Sequence, residues 1–286
     1  MAKRWFAEKD PFSPINYRYA IDRVLHQRRS PIQEIKVLEH SVFGRILVLD
    51  DVVQLTERDE FFYHEMLAHV PLHSHPRPER VLVIGGGDGG TLREALRHPT
   101  VRSGTLVDID NEVTEVCREY FPSLTACLSD PRVTIAPNDG AVFIAETREK
   151  FDAVLIDAPD PVGPARTLTT PEFFGNVRRA LTERGILAMQ TESLHFHIDF
   201  VRRIQGTLAS VFPWVGLYFV PLATYAGNFW TISIASNRPL PQEPLRPPVA
   251  QTHYYCEDVH RRCWVPPQVV DGLARRFSAF QGTGAR

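Results

Sequence analysis

The sequence predicts an α/β protein, a Rossmann-like, doubly wound sheet preceded by a small N-terminal antiparallel β domain. Three observations predict it. Residues 81–84 are a short apolar run that passes into five glycines between 85 and 90 and then into a helical run from 91 to 97, the first βα unit of such a fold. Beyond it, strand-like and helix-like segments alternate to about residue 235, as in successive βαβ units. Before it, from residue 16 to about residue 54, apolar and polar residues alternate one by one, the mark of strands with one wet face. The expected division is residues 1–77 for the β domain and linker, and 78–286 for the Rossmann-like domain with its C-terminal extension.

In chain order, residues 33–39 and 44–50 are the clearest alternating strands. Residues 57–69 have helical spacing through Phe61, Met66 and Leu67, and residues 71–78, with prolines and histidines, read as a linker. Four histidines fall here, at 64, 69, 73 and 75. His64 and His69 lie five apart, about 140° around a helix, whereas the zinc motif needs four, so no metal site is expected. After the glycines, strands are expected at 104–107, 132–136, 151–156, 185–190, 216–221 and 229–235, with helices near 111–120, 139–147, 171–182 and 196–211. A proline-rich connector, 237–250, leads to residues 253–260 and a short closing helix.

Bulk properties exclude several classes. A formal net charge of −2 leaves no basic footprint for nucleic acid or an anionic membrane. No segment approaches the roughly 20 apolar residues of a membrane span, and the N-terminus has no apolar stretch fit for a signal peptide, so a cytoplasmic protein is expected. The four cysteines form no C-x-x-C pair and are expected to be free thiols.

The glycines satisfy G-x-G-x-x-G through Gly85, Gly87 and Gly90, and Asp108 lies about twenty residues on, where nucleotide-binding folds carry a ribose-binding acid. Asp88 changes the reading. A carboxylate inside the loop repels a pyrophosphate and suits a cation, although it also suits the cap of the following helix. Ligands of such sheets bind beyond the carboxyl ends of the strands. Asp88, Asp108, Asp139, the pair Asp157 and Asp160, and Glu192 each follow one of five successive strands. Singly they have plain explanations: Asp139 and Asp110 as helix caps, Asp160 as the start of a turn. Converging on one crevice, they repel one another unless a cation neutralises them. Without well-placed histidines, a polycationic organic substrate fits better than a transition metal, with magnesium left open.

These residues resemble the polyamine aminopropyltransferase family, its spermidine synthase branch above all. The similarity runs through His26 to Ser30 with Gln33, Leu47 to Gln54, Thr56 to Met66, the glycine loop with Asp88, Asp157 to Ala165, Thr224 with Tyr225, and Tyr254 and Tyr255 followed by Val259 and His260. The block from Thr56 to Met66 joined to the glycine loop is the specific part, because ordinary methyltransferases of the same class I fold type lack it. The resemblance implies decarboxylated S-adenosylmethionine as co-substrate, no tightly bound cofactor, a diamine acceptor, usually putrescine, and a homodimer or homotetramer. It implies that Gln33 and Asp108 meet the donor's sugar, that Asp139 and Gly140 meet its adenine, and that Pro164 belongs to a loop closing over that ring. Gly85, Gly86 and Gly87 line the donor, and Asp88 holds its aminopropyl ammonium. Gln54, His64, Asp160 and Tyr225 place the polyamine, with Glu192 at its far end, and Tyr63 and Asp157 activate the attacking amine.

The chain departs from the family pattern at Asp108, where Glu is usual, at Asn138, at Ala158 with Pro159 in place of a hydroxyl-bearing pair, and from Ala226 to Trp230. These departures bear on the acceptor, for which agmatine, cadaverine and spermidine are alternatives. Two other readings compete: an S-adenosylmethionine-dependent methyltransferase, against which Asp88 argues because the methionine carboxylate would face it, and a non-catalytic polyamine or nucleoside binder.

Overall fold

The computed structural model describes residues 4–9, 15–159, 163–225 and 227–281. The chain opens with a hairpin, β1 (Arg4–Lys9) and β2 (Asn16–Ile21), and a four-stranded antiparallel meander, β3 (Arg23–Arg29), β4 (Glu34–His40), β5 (Gly44–Leu49) and β6 (Val52–Thr56). Helix α1 (Glu60–Ser74) follows. The larger unit contains β7 (Arg80–Gly85), α2 (Gly90–Leu96), β8 (Ser103–Asp108), α3 (Asn111–Tyr120), α4 (Pro122–Thr125), β9 (Val133–Pro137), α5 (Gly140–Glu146) and β10 (Phe151–Asp157). It continues with α6 (Pro171–Ala180), β11 (Leu181–Ser193), α7 (Ile198–Val211), β12 (Trp214–Pro221) and β13 (Phe229–Ser236), and closes with α8 (Glu257–Arg262) and α9 (Pro267–Gln281).

The large sheet runs β12-β13-β11-β10-β7-β8-β9, with β13 antiparallel to both neighbours and the other pairs parallel. From β7 the chain winds outward through β8 and β9, then crosses back to β10 and winds the other way, so β7 and β10 flank the switch point where such sheets bind ligands. Their apolar runs are buried on both faces. Val81, Val83, Ala153 and Leu155 pack on the side covered by α1 and α2, while Leu82, Ile84, Val154 and Ile156 pack towards α6 and α7.

The expected elements of this unit are present, with ends shifted by a few residues; β11 runs longer than expected, from Leu181 to Ser193. Among the described residues, none of the helices is long and apolar enough to cross a membrane. The four cysteines are free thiols.

Three readings need correction. Strand β1 was not anticipated, and with β2 it covers the face of the meander expected to be wet. Phe6, Tyr19 and Ile21 bury Leu38, Ile46, Val48 and Val53, while the opposite face, through Ile35, Val37, Leu47 and Leu55, packs on α3. The closing helix is not alone, since α8 precedes the 15-residue α9. Nor do residues 71–78 form a linker from their first residue, because α1 continues through Pro71 to Ser74. A proline inside a helix costs about 3 kcal/mol or more. The burial of every residue from Tyr63 to Ser74 offsets it. A helix buried all round shows no amphipathic stripe, so its length was hidden.

Candidate active site

The glycine loop is shaped by Asp157. Across the paired ends of β7 and β10, Gly85 stands opposite Asp157. Gly85 has φ +77°, and a Cβ there would lie 2.1 Å from the Asp157 carbonyl oxygen; one on Gly86, at φ +67°, would lie 2.8 Å from Asp157 Oδ2. Only glycine lets the loop pass this close with a left-handed backbone. Asp157 is held at both oxygens: the Tyr63 hydroxyl donates to Oδ1 at 2.8 Å and the Thr91 hydroxyl to Oδ2 at 2.6 Å. Burial, then the charge of Asp88, raises the Asp157 carboxyl above its usual value, against His64 and the two hydroxyls. Burial and the Asp157 charge push the Tyr63 phenol well above its usual value, so Tyr63 stays a donor.

Beside Asp157 lies an ionic chain. Arg93 donates to Glu60 with both terminal nitrogens, at 3.1 and 2.9 Å, and His64 Nδ1 is 2.6 Å from Glu60 Oε2. His64 Nε2 lies 3.4 Å from Asp88 Oδ1, which also accepts the Gly90 N–H at 2.7 Å. Asp88 therefore meets both readings given to it: it braces the start of α2 and stands in the crevice. Burial works against charge on His64, but Asp88, Glu60 and Asp157 overcome it and lift the imidazole to about 9. Burial likewise opposes charge on Glu60, yet His64 and Arg93 hold it below its usual value. Three carboxylates, Glu60, Asp88 and Asp157, thus face two cations, leaving an excess of negative charge for a cationic ligand.

A second group of polar residues lines the cavity past β8. Asp108 accepts the backbone N–H of Gly87 at 3.0 Å and that of Asp110 at 2.8 Å; burial nonetheless raises it to about 6. Gln33 donates to Asp110 Oδ2 at 3.0 Å, an oxygen also taken by the Ser30 hydroxyl at 2.6 Å, which ties the antiparallel sheet to the cap of α3. Asp139 caps α5 through Ala141 N–H at 2.7 Å, and Gly140 presses on Ile84, whose Cγ2 would lie 2.2 Å from an added Cβ.

On the other side, the Tyr225 hydroxyl donates to the Gln54 carbonyl, and the Tyr225 ring meets Tyr63 at 5.9 Å and Trp230 at 4.7 Å between centroids. Glu192 is 1% exposed and stands not beyond β11 but within its irregular end, at φ +68°, with Oε2 3.3 Å from His197 Nδ1. Of these groups, Gln33, Gln54, Tyr63, His64, Gly85 to Asp88, Asp108, Asp139, Gly140, Asp157, Glu192 and Tyr225 line one cavity of about 670 Å³, while Glu60, Thr91, Arg93 and Asp110 support them from behind. Among the anticipated residues, Asp160 lies outside the described ones and Pro164 is described only by its backbone, in the 3-10 turn Gly163–Thr169. Sequence reasoning missed Thr91, Glu60 and Arg93 as supports, whereas Asp110 is the helix cap it was read as and also holds Gln33. Thr91 had a visible signal, a hydroxyl directly after the last loop glycine, and so had Glu60, four residues before His64 on one helix.

Known proteins resemble this chain in sequence and in fold. The chain matches the spermine/spermidine synthase domain over residues 60–243 and the spermidine synthase tetramerisation domain over residues 4–57. It is 49% identical to polyamine aminopropyltransferase 1 of Aquifex aeolicus over 261 residues, covering 91% of this chain and 93% of that protein. It is 39% identical to the polyamine aminopropyltransferase of Bacillus subtilis, covering 96% of this chain and 100% of that one. Among solved structures, a spermidine synthase in complex with the transition state analogue AdoDATO superposes with a TM-score of 0.90 at 33% identity, covering 96% of this chain and 97% of that one.

Proposed function

The chain belongs to the spermine/spermidine synthase family and is a polyamine aminopropyltransferase; from that premise we propose that it transfers the aminopropyl group of decarboxylated S-adenosylmethionine to putrescine. The products are spermidine and methylthioadenosine. The similarity to a spermidine synthase that binds AdoDATO supports this donor, and the acidic cavity supports a donor and acceptor that are both cations. We read it as a cytoplasmic homodimer or homotetramer, consistent with its tetramerisation domain.

The observation that carries the mechanism is the doubly held carboxylate of Asp157 beside Asp88. An alkylammonium with a pKa of about 10.4 is less than about 0.1% neutral at pH 7, so presenting a free amine costs roughly 4 kcal/mol. In this reading Asp157 takes that proton as the amine nitrogen attacks the carbon next to the sulfonium, and the C–S bond breaks to release neutral methylthioadenosine. Tyr63 orients the base. Asp88, backed by His64, holds the aminopropyl ammonium; Asp108 and Gln33 hold the sugar; Asp139 and Gly140, with the Pro164 loop, hold the adenine. Gln54, Tyr225, Asp160 and Glu192 align the acceptor chain. The chemistry needs neither a metal nor a covalent enzyme intermediate, because the sulfonium is already an activated leaving group.

The test is incubation with the donor and a panel of putrescine, cadaverine, agmatine and spermidine, with products followed by mass spectrometry. Methylthioadenosine formed fastest with putrescine supports the reading. Faster turnover with another amine reassigns the acceptor, and no turnover with any amine overturns it.

A further inference from the structure

The second half of α1 carries a polar cluster that the reaction does not use. Because the helix continues through Pro71, His69 and His73 lie four residues apart on one face, about 8–14 Å along the axis from His64. His98, just beyond α2, comes alongside them. Ring centroids are 5.1 Å apart for His69 and His98, 4.6 Å for His73 and His98, and 6.1 Å for His69 and His73. All three side chains are fully buried, and one ring nitrogen of each lies within 4.8 Å of those of the other two.

The hydrogen bonding is directional at one end and missing at the other. His69 Nε2 is 3.0 Å from Glu94 Oε2, which fixes a proton there and leaves Nδ1 to accept from His98 Nε2 at 2.9 Å, a hydrogen bond that an ion between the two rings would replace. Both ring nitrogens of His73 are buried without any hydrogen-bond partner. Burying a polar group without a partner is costly, so a ring with two such nitrogens indicates something unaccounted for. A carboxylate behind one imidazole, orienting its far nitrogen inward, is the arrangement that supports metal-ligating histidines.

We propose that His69, His73 and His98 form a structural site for a transition-metal ion of the Zn²⁺ class, oriented by Glu94 and separate from the reaction cavity. The ion would fasten α1 to the end of α2, beneath the Tyr255 ring that stacks on His73 at 5.3 Å. Metal–nitrogen bonds of about 2.0–2.1 Å set tetrahedral nitrogens roughly 3.3 Å apart, so the His69–His98 pair opens slightly and His73 turns inward. Glu94 is already paired with Arg93 and Arg97, and Arg246 Nη2 lies 3.4 Å from His98 Nδ1. Such surroundings repel hard cations of the Mg²⁺ type and admit only ions that bond strongly to nitrogen.

The test uses the full chain stripped with a chelator and then titrated with Zn²⁺, or with Co²⁺ as a spectroscopic probe. The expected result is one ion bound per chain, visible d–d absorption of tetrahedral Co²⁺, and a rise in Tm of roughly 5 °C at a hundredfold excess over Kd. His73→Phe keeps the ring stacked on Tyr255 and should lose all three responses while retaining aminopropyl transfer. If that variant fails to fold, His98→Gln takes its place and should likewise lose the tetrahedral Co²⁺ spectrum. No uptake by the wild type overturns the proposal. So does uptake that survives His73→Phe, which would locate the ion elsewhere, for example at His64, Asp88 and Asp157.

Discussion

Thr91 and Asp157, 66 residues apart in the chain, are joined by a 2.6 Å hydrogen bond from the threonine hydroxyl to Oδ2. The bond links the first residues of α2 to the end of β10, across the glycine loop, and completes the fixation that Tyr63 begins at Oδ1. A donor to a carboxylate favours its ionised form, so Thr91 works against the burial that raises Asp157. Thr91→Val, nearly the same shape without the hydroxyl, should lower kcat about tenfold. It should also move the acid limb of the pH–rate profile to higher pH. Thr91→Ser should restore both; a profile unchanged in Thr91→Val would show that the bond has no part in positioning the base.

Asp157 itself supports a sharper expectation. Its raised carboxyl means that base function is lost as pH falls through a value above the ordinary Asp range, rather than near 4. Asp157→Asn preserves shape and both hydroxyl contacts in altered form, and removes the proton acceptor. Turnover should fall by about 10²- to 10⁴-fold, while equilibrium binding of the donor changes by only a few-fold. Single-turnover release of methylthioadenosine, with donor affinity measured alongside, separates the two effects.

Gly85→Ala tests the loop. At φ +77° a side chain is strained, and the added Cβ would lie 2.1 Å from a backbone oxygen that belongs to the central strand β10. Neither atom is the end of a flexible chain. The variant should be destabilised by several kcal/mol, seen as loss of soluble protein or a large drop in Tm. Gly175→Ala, where an added Cβ meets nothing within 4 Å, is the control.

The parallel sheet was legible because its strands are buried on both faces and bounded by glycine, aspartate and proline, which local pattern alone reveals. The acids at the strand ends were legible by applying one topological rule to them. What stayed hidden depended on long-range packing. Helix α1 lost its periodicity by being buried all round, so Pro71 was taken for an end. The alternation at residues 33–39 was correct, but that the hairpin of β1 and β2 covers its second face could not be read from it. Thr91 reaches Asp157 and Arg93 reaches Glu60 from α2, and no spacing within one segment encodes those meetings, whereas Glu60 and His64 lie four apart on α1, a pairing that helical spacing does encode.

His64 joins stability to ligand binding. Its folded value of about 9 exceeds the ordinary 6.5, so the imidazolium contributes stability that is fully present below about pH 6.5 and is lost as pH rises through 9. The shift corresponds to about 3 kcal/mol at most. The ligand-free Tm should therefore decline between pH 7 and pH 10, and decline less in His64→Gln. A cation bound against Asp88 takes over part of the compensation that His64 supplies, which lowers the imidazole value and expels its proton. Decarboxylated S-adenosylmethionine alone tests this cleanly, because no amine acceptor is then present to lose a proton of its own. Calorimetric titration at pH 8 in buffers of different ionisation enthalpy should reveal proton release in the wild type and much less in His64→Gln. Binding heats independent of buffer, or proton uptake, would mean that the donor's ammonium does not bind against Asp88 and His64, and the orientation assigned to the donor would have to be reversed.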